Sequence, residues 1–302
     1  ALSSAASDVY KRQQQDCAYT LTHFGYIKRQ PTSVYRAQRR GGRGVSAMST
    51  REEDFAKDIF TASTHDTILF FSDRGKVYKL KGYQIPETGR SAKGMNIVNL
   101  LELENGEKIT AMFPIQEFAD DKFLFFVTRQ GIAKRIVLSD LQNIRRAGLR
   151  ALSLNEDDAL VDVRLTDGEQ NILIATHNGK AICFDENEVR AMGRTATGVR
   201  GIKLAEGARV AAFNVVPAGK VAWTYEEGEN GLTSGSGAVV LTVGGDSDAL
   251  PGTENGAAKV TPLEMYPTKG RATGGVRSQR FLKGQNTLIL AWVGLYPLHA
   301  ST

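Results

Sequence analysis

Apolar and β-branched residues along this chain come in short runs. Each run is broken by a glycine turn and answered by a second, alternating run. The first members are Ala18-Tyr-Thr-Leu-Thr22, Ile68-Leu-Phe-Phe-Ser72, Phe123-Leu-Phe-Phe-Val-Thr128, Ile172-Leu-Ile-Ala-Thr176 and Val239-Val-Leu-Thr-Val243. The turns are His23-Phe-Gly25, Asp73-Arg-Gly75, Arg129-Gln-Gly131, His177-Asn-Gly179 and Glu254-Asn-Gly256. The returning runs are Tyr26-Ile-Lys-Arg29, Lys76-Val-Tyr-Lys79, Ile132-Ala-Lys-Arg135, Lys180-Ala-Ile-Cys183 and Ala257-Ala-Lys-Val260. A strand, a tight glycine turn and a strand make a β-hairpin.

The turn glycines fall at 25, 75, 131, 179 and 256, at steps of 50, 56, 48 and 77. Two insertions account for the long step: Glu226–Gly237 is polar and turn-rich, and Gly244–Gly252 lengthens the fifth hairpin. Surface loops grow at small entropic cost. A second glycine follows the first by nineteen residues in four units, at Gly44, Gly94, Gly198 and Gly275, and the third unit has Arg150 there. Further apolar stretches after this point, ending in an acidic turn and a last strand, bring each unit to about four strands. Glu52–Phe60 reads as a short helical turn. Four strands per unit of about fifty residues predict an all-β, propeller-like array of blades, which bury their faces only by stacking on one another. The repeats span residues 17–293. Residues 1–16 and 294–302 share none of their period and read as a flexible or foreign extension and a detached tail.

At 302 residues, 41% hydrophobic and 24% charged, the chain can bury a sizeable core and is not of disordered composition. The only two cysteines, Cys17 and Cys183, cannot build a disulfide framework and read as thiols of a cytosolic protein. Four scattered histidines offer no metal-ligand spacing, and no apolar run is long enough to span a bilayer. The N-terminus lacks the apolar segment of a signal peptide. Net charge is +5 and uneven: residues 1–50 hold eight lysines and arginines against two aspartates, a net +6, so the remainder sums to about −1. A basic patch on a balanced protein is the footprint of a polyanion partner.

That patch centres on Gln38-Arg39-Arg40-Gly41-Gly42-Arg43-Gly44. Guanidinium forks match phosphate oxygens, and glycines let the backbone come close to a ligand with its amides exposed. Degenerate copies precede the later slot glycines: Gly89-Arg-Ser-Ala-Lys-Gly94, Arg145-Arg-Ala-Gly-Leu-Arg150, Gly193-Arg-Thr-Ala-Thr-Gly198 and Gly270-Arg-Ala-Thr-Gly-Gly275. Each unit thus places a cation in one slot. Lys28, Arg29, Arg74, Lys93, Lys134, Arg135, Arg145, Arg146, Arg194 and Arg271 are second-rank candidates for a curved positive track that faces a polyanion. No nucleotide-binding Gly-x4-Gly-Lys-Ser/Thr, no Gly-x-Ser-x-Gly and no carboxylate pair is present. His23 and His177 occupy equivalent turns, and Tyr19, Tyr26 and Tyr35 read as packing residues.

The seven-residue string resembles, at every position, the signature box of the C-terminal domain of the A subunit of bacterial DNA gyrase. Thr20–Lys28, Glu52–Phe55, Ile97–Leu101, Thr197–Ile202 and Tyr266–Thr273 resemble the same family. The resemblance implies a β-pinwheel of six strand-exchanging blades that wraps duplex DNA around its rim, so that a holoenzyme introduces negative supercoils. It implies no catalytic residue and no cofactor in this chain, with ATP and Mg²⁺ used elsewhere in the holoenzyme. The partners it implies are double-stranded DNA, the gyrase N-terminal breakage-reunion part and the B subunit, in an A2B2 assembly. The location it implies is cytoplasmic and nucleoid-associated. Only five hairpins are visible, so the sixth blade is missing or truncated. Two other readings are the equivalent domain of topoisomerase IV, which usually lacks an intact box, and a protein-interaction propeller with aromatic or acidic loops on its face. A catalytic propeller hydrolase would need a carboxylate or histidine cluster.

Overall fold

A computed structural model describes residues 13–35, 54–89, 91–217, 223–227, 233–249 and 256–296. Strands account for nearly all the regular structure. The first repeat gives β1 (Asp16–Thr22), β2 (Tyr26–Pro31) and β3 (Ala56–Ser63). The second gives β4 (Thr67–Ser72), β5 (Lys76–Lys81), β6 (Met95–Asn96) and β7 (Ile109–Ile115). From the third come β8 (Phe123–Thr128), β9 (Ile132–Val137), β10 (Leu149–Arg150) and β11 (Leu160–Thr166). The fourth supplies β12 (Gln170–Thr176), β13 (Lys180–Asp185), β14 (Val199–Arg200) and β15 (Val210–Pro217). The fifth holds β16 (Trp223–Glu227), β17 (Thr233–Gly245), β18 (Ala257–Pro262), β19 (Val276–Arg277) and β20 (Thr287–Tyr296). The helical elements among the described residues are all short 3₁₀ turns.

These strands make five four-stranded antiparallel sheets. In the first four, a repeat contributes its hairpin and its last strand, while a two-residue strand from the next repeat closes the other edge. Thus β6 pairs with β2, β10 with β5, β14 with β9 and β19 with β13. The strand exchange implied by the resemblance is therefore present, in these short pieces. In the fifth sheet β17 pairs with β16, β18 and β20, and among the described residues β18 has no such short partner.

The chain divides into two compact units. One comprises Ala1–Phe118 with Leu141–Ala151 and holds the first two sheets; the other comprises Ala119–Asp140 with Leu152–Thr302 and holds the remaining three. In the first unit Tyr19, Ile27, Ile68, Phe70 and Tyr78 form a buried cluster. In the second, Phe125, Ile172, Ile174 and Phe184 form one cluster, and Leu173, Val240, Leu263 and Tyr266 another. Strand β4 is buried along all six residues, because neighbours cover both its faces; this is why its sequence is a continuous apolar run. Each large apolar side chain so buried contributes about 1.5–3 kcal/mol.

The hairpin turns share one construction. The amide of Gly25 donates to Thr22 O at 3.0 Å, and Tyr26 N donates to the Thr22 hydroxyl at 3.1 Å. Ser72, Thr128 and Thr176 repeat both bonds, and the turn glycine has positive φ in all four cases. This is a type I turn followed by a left-handed residue, a geometry that a Cβ would strain. Gly256 does not repeat it: its φ is not in the left-handed region, and Asp246–Gly256 separates β17 from β18.

Four further features differ from the expectations above. The third repeat does have a slot glycine: Gly148, with φ +81°, precedes β10 as Gly94, Gly198 and Gly275 precede β6, β14 and β19. The slot there is two residues shorter, which is why an offset of nineteen falls on Arg150. Residues 56–60 are strand, not helical turn, because they pair with β1 in a register that sets Tyr19 opposite Phe60. The polar insertion is partly strand as well, since β16 pairs with the first residues of β17. Both termini of the repeat region extend further than expected: Gln15 N donates to Thr64 Oγ1 and β1 starts at Asp16, while Gly294–Tyr296 stays paired with Gly237–Val239.

The slot glycines set a steric test. A Cβ on Gly198 would lie 2.6 Å from Ala133 O, at φ +105°. A Cβ on Gly207, at φ +70°, meets nothing within 4 Å. Gly207→Ala therefore costs about 1–2 kcal/mol of left-handed strain. Gly198→Ala costs that plus displacement of β14, so its urea midpoint falls further below wild type than that of Gly207→Ala.

Candidate nucleic-acid interface

Gln38, Arg39, Arg40, Gly41, Gly42, Arg43 and Gly44 lie outside the described residues. The geometry of the slot is read from the later repeats, in the loop ahead of each short exchanged strand.

Lysines on the preceding hairpin hold that loop from beneath. Lys134, fully buried on β9, donates from Nζ to Arg194 O and Ala196 O, both at 2.7 Å. Lys28, fully buried on β2, donates to Ala92 O at 3.0 Å and Gly89 O at 3.4 Å. In each loop an alanine amide also closes a turn onto a glycine carbonyl, Ala92 onto Gly89 and Ala196 onto Gly193. An ammonium under a turn thus satisfies carbonyls that burial takes from water. Burial lowers both lysines' pKa values, that of Lys134 to about 8. The equivalent position on β5 is Tyr78, whose hydroxyl donates to Glu107 at 3.0 Å.

The neighbouring arginines are equally internal. Arg29 is 4% exposed; its Nε donates to Ile85 O at 2.8 Å and its NH1 pairs with Glu87 at 3.2 Å. Arg135 donates to Asn187 Oδ1 at 2.8 Å, lies 3.4 Å from Glu186 and stacks its guanidinium over Phe123. Glu186 itself is fully buried and also accepts from Thr166 Oγ1, Gly168 N and Gln170 N. Lys28, Arg29, Lys134 and Arg135, expected on an exposed positive track, are buried. Their side chains point into the protein and bind the next repeat, because β2 and β9 lie within four-stranded sheets under that repeat's loop.

The remaining candidates sit at the surface. Arg145 and Arg194 are exposed, and Arg194 presents its side chain outward while Lys134 holds its carbonyl. Arg146 is 88% exposed and pairs with Glu102 at 2.8 Å. Lys93 places its ammonium 3.9 Å from the centroid of the Tyr26 ring. Arg271 is half-buried and donates to Glu188 O and Arg200 O, so it ties the loop down as much as it charges it. Arg74 binds Glu104 at 2.8 Å and Asn105 O at 2.7 Å. Hydrogen bonds from Lys76 and then Arg74 hold the Glu104 carboxyl below its usual range.

A set of cations escapes the sequence reading. Arg150, Arg200 and Arg277 are the second residues of β10, β14 and β19, and all three are exposed. They stand opposite Lys76, Ile132 and Lys180. Leu149, Val199 and Val276 precede them and are less exposed, as the period of two requires. The signal is present as Gly-apolar-Arg at Gly148, Gly198 and Gly275. It becomes legible only once Gly148 is recognised as the slot glycine. Among the described residues no cluster of three His, Cys, Asp or Glu could hold a metal. Cys17 and Cys183 are buried, and burial raises both thiols, Cys183 to about 11. No helix of the described residues is long and apolar enough to cross a membrane.

A family model described as the DNA gyrase C-terminal domain, β-propeller, matches residues 19–63, 66–116, 122–167, 170–217 and 252–289. The A subunit of DNA gyrase from Halalkalibacterium halodurans is 54% identical over 203 residues, which are 66% of this chain and 24% of that protein. Its counterpart from Staphylococcus aureus (strain NCTC 8325) is 43% identical over 266 residues, 88% of this chain and 27% of that protein. The chain therefore spans about a quarter of the length of the curated relatives it matches. A crystal structure of the C-terminal domain of DNA topoisomerase IV superposes with a TM-score of 0.73 at 26% identity, over 94% of this chain and 79% of that one.

The buried lysine gives a pH dependence. Folding lowers the pKa of Lys134 from 10.5 to about 8. Between those values the folded protein releases this proton while the unfolded chain still holds it, so the group's contribution to stability rises with pH across that window. The neutral amine keeps two N–H donors for the two carbonyls. Lys134→Met leaves those carbonyls unpaired and costs about 1–3 kcal/mol. The stability of wild type minus that of Lys134→Met, from urea titrations, grows between pH 8 and pH 10.

Proposed function

Since the chain belongs to the DNA gyrase C-terminal β-propeller family, we propose that it binds duplex DNA without sequence preference and wraps it chirally along a cationic surface. The observation that carries this reading is the sorting of charge by repeat. Cations on the hairpins at Lys28, Arg29, Lys134 and Arg135 are buried, whereas Arg150, Arg200 and Arg277 recur outward at one register position. Phosphate contacts of that kind position a duplex but read no sequence. Smooth bending costs on the order of 1–6 kcal/mol for each 20–30 bp bent by 40–90°, which several repeats acting together offset and one loop does not. Arg39, Arg40 and Arg43, with the amides of Gly41, Gly42 and Gly44, anchor the path.

In this reading wrapping serves an A2B2 holoenzyme in the bacterial cytoplasm at the nucleoid. Its other parts are the N-terminal breakage-reunion region, which precedes this domain in the gyrase family, and the B subunit. ATP and Mg²⁺ are used by those other parts, and negative supercoiling is the output. The intact Gln38–Gly44 string favours a gyrase role over that of the topoisomerase IV domain whose fold this chain shares.

Salt dependence tests the interface. Log affinity falls linearly with log salt concentration, with a slope near −0.9 per neutralised phosphate. Replacing Arg150, Arg200 and Arg277 together by alanine makes the slope shallower by about 2.7 if each neutralises one phosphate. An unchanged slope would remove these residues from the path.

A further inference from the structure

The tip of the first hairpin is unlike the others. In three hairpins the middle residue of the turn folds back on the protein. Arg74 binds Glu104, Gln130 Nε2 donates to Glu156 O at 2.9 Å, and Asn178 Oδ1 accepts from Thr176 at 2.6 Å. In the first hairpin that residue is Phe24, which has no polar group to fold back and is 45% exposed. His23 lies beside it, with ring centroids 5.6 Å apart, and stacks on Phe55 at 4.9 Å and 14°. Phe55 is 56% exposed and Val98, on the turn after β6, is 57% exposed.

The backbone beneath these rings is fixed. Phe24 N donates to the buried Asp54 at 3.0 Å, His23 N to Phe55 O at 2.9 Å, and Ile97 N to Gly25 O at 2.8 Å. The rings therefore stand on a braced platform. Two observations say what meets them. In the sequence, the Gln38–Gly44 string, the most basic stretch of the chain, lies between β2 and Asp54-Phe55. Lys93 stands over Tyr26, the residue after the turn, and puts a cation at the base of the tip.

We infer that Phe24 is an apolar wedge that enters the minor groove of bound duplex DNA and partly unstacks one base step. This rests on the DNA-binding reading above. Apolar side chains inserted in this way kink a duplex by roughly 20–90°. A kink at this tip concentrates bending at one step, and pyrimidine–purine steps such as TA yield to it most easily. His23 and Phe55 back the wedge and keep water from its base.

The test uses the whole chain and short duplexes carrying 2-aminopurine at TA steps spaced one helical turn apart. That base brightens when it unstacks. Wild type should raise the fluorescence severalfold on saturation, because an inserted apolar side chain partly unstacks the step. Phe24→Leu, which keeps an apolar wedge, should retain most of the rise. Phe24→Asn, which carries the residue of the fourth hairpin's tip, should lose it while its salt slope stays that of wild type. An equal rise with Phe24→Asn, or saturated wild-type binding with no rise, would overturn the wedge and leave the phosphate interface standing; the tip would then be a surface for a protein partner. Failure of wild type to bind duplex at low salt would overturn the wedge together with the DNA-binding reading.

Discussion

Closure of each of the first four hairpins by two residues of the next repeat is the constraint on which the rest depends. Two antiparallel residues supply few backbone bonds, so the seam holds only where the incoming chain approaches very closely. A left-handed glycine makes that approach possible: a Cβ on Gly94 would sit 2.5 Å from Ile27 O, and one on Gly198 2.6 Å from Ala133 O. Parallel bridges one step further along, Arg29 with Glu87, Arg135 with Ala191 and Cys183 with Thr268, extend the same grip. The repeat is covalently offset from its sheet, and each of the first four sheets depends on the next repeat for an edge.

Charge follows from this seam. The loop that carries the slot passes over the third position of the preceding hairpin strand, where its carbonyls lose water. At Lys28 and Lys134 an ammonium satisfies them; at Tyr78 a hydroxyl takes the place and turns to Glu107 instead. With the underside held, side chains on the outer face of the seam are left to the solvent, and Arg150, Arg200 and Arg277 stand there in register. One seam thus sorts two populations of cations that composition alone cannot separate, one structural and one available to a polyanion.

The hairpins are legible in the sequence because period-two patterning and a left-handed turn glycine are local signals. Residues 68–71 and 124–127 are continuous apolar runs, read as buried strands because they are short and followed by turn glycines. The roles of the cations are not legible. Lys-Arg at 28–29 and 134–135 looks like surface charge, and only the path of a loop some sixty residues later shows that it is covered. Gly148 escapes because a fixed offset cannot register a slot two residues shorter. The polar insertion before the fifth hairpin gives no warning of the β16–β17 pairing, since its composition reads as turn and not as strand.

The central claim is that repeated outward arginines and the Gln38–Gly44 string wrap DNA with one hand. Closing nicked circular DNA with ligase in the presence of the chain, then reading the linking-number distribution, tests it most directly. The account predicts a one-directional shift that grows with protein and vanishes when Arg39, Arg40 and Arg43 are replaced by alanine. Tight binding with an unshifted distribution would contradict chiral wrapping.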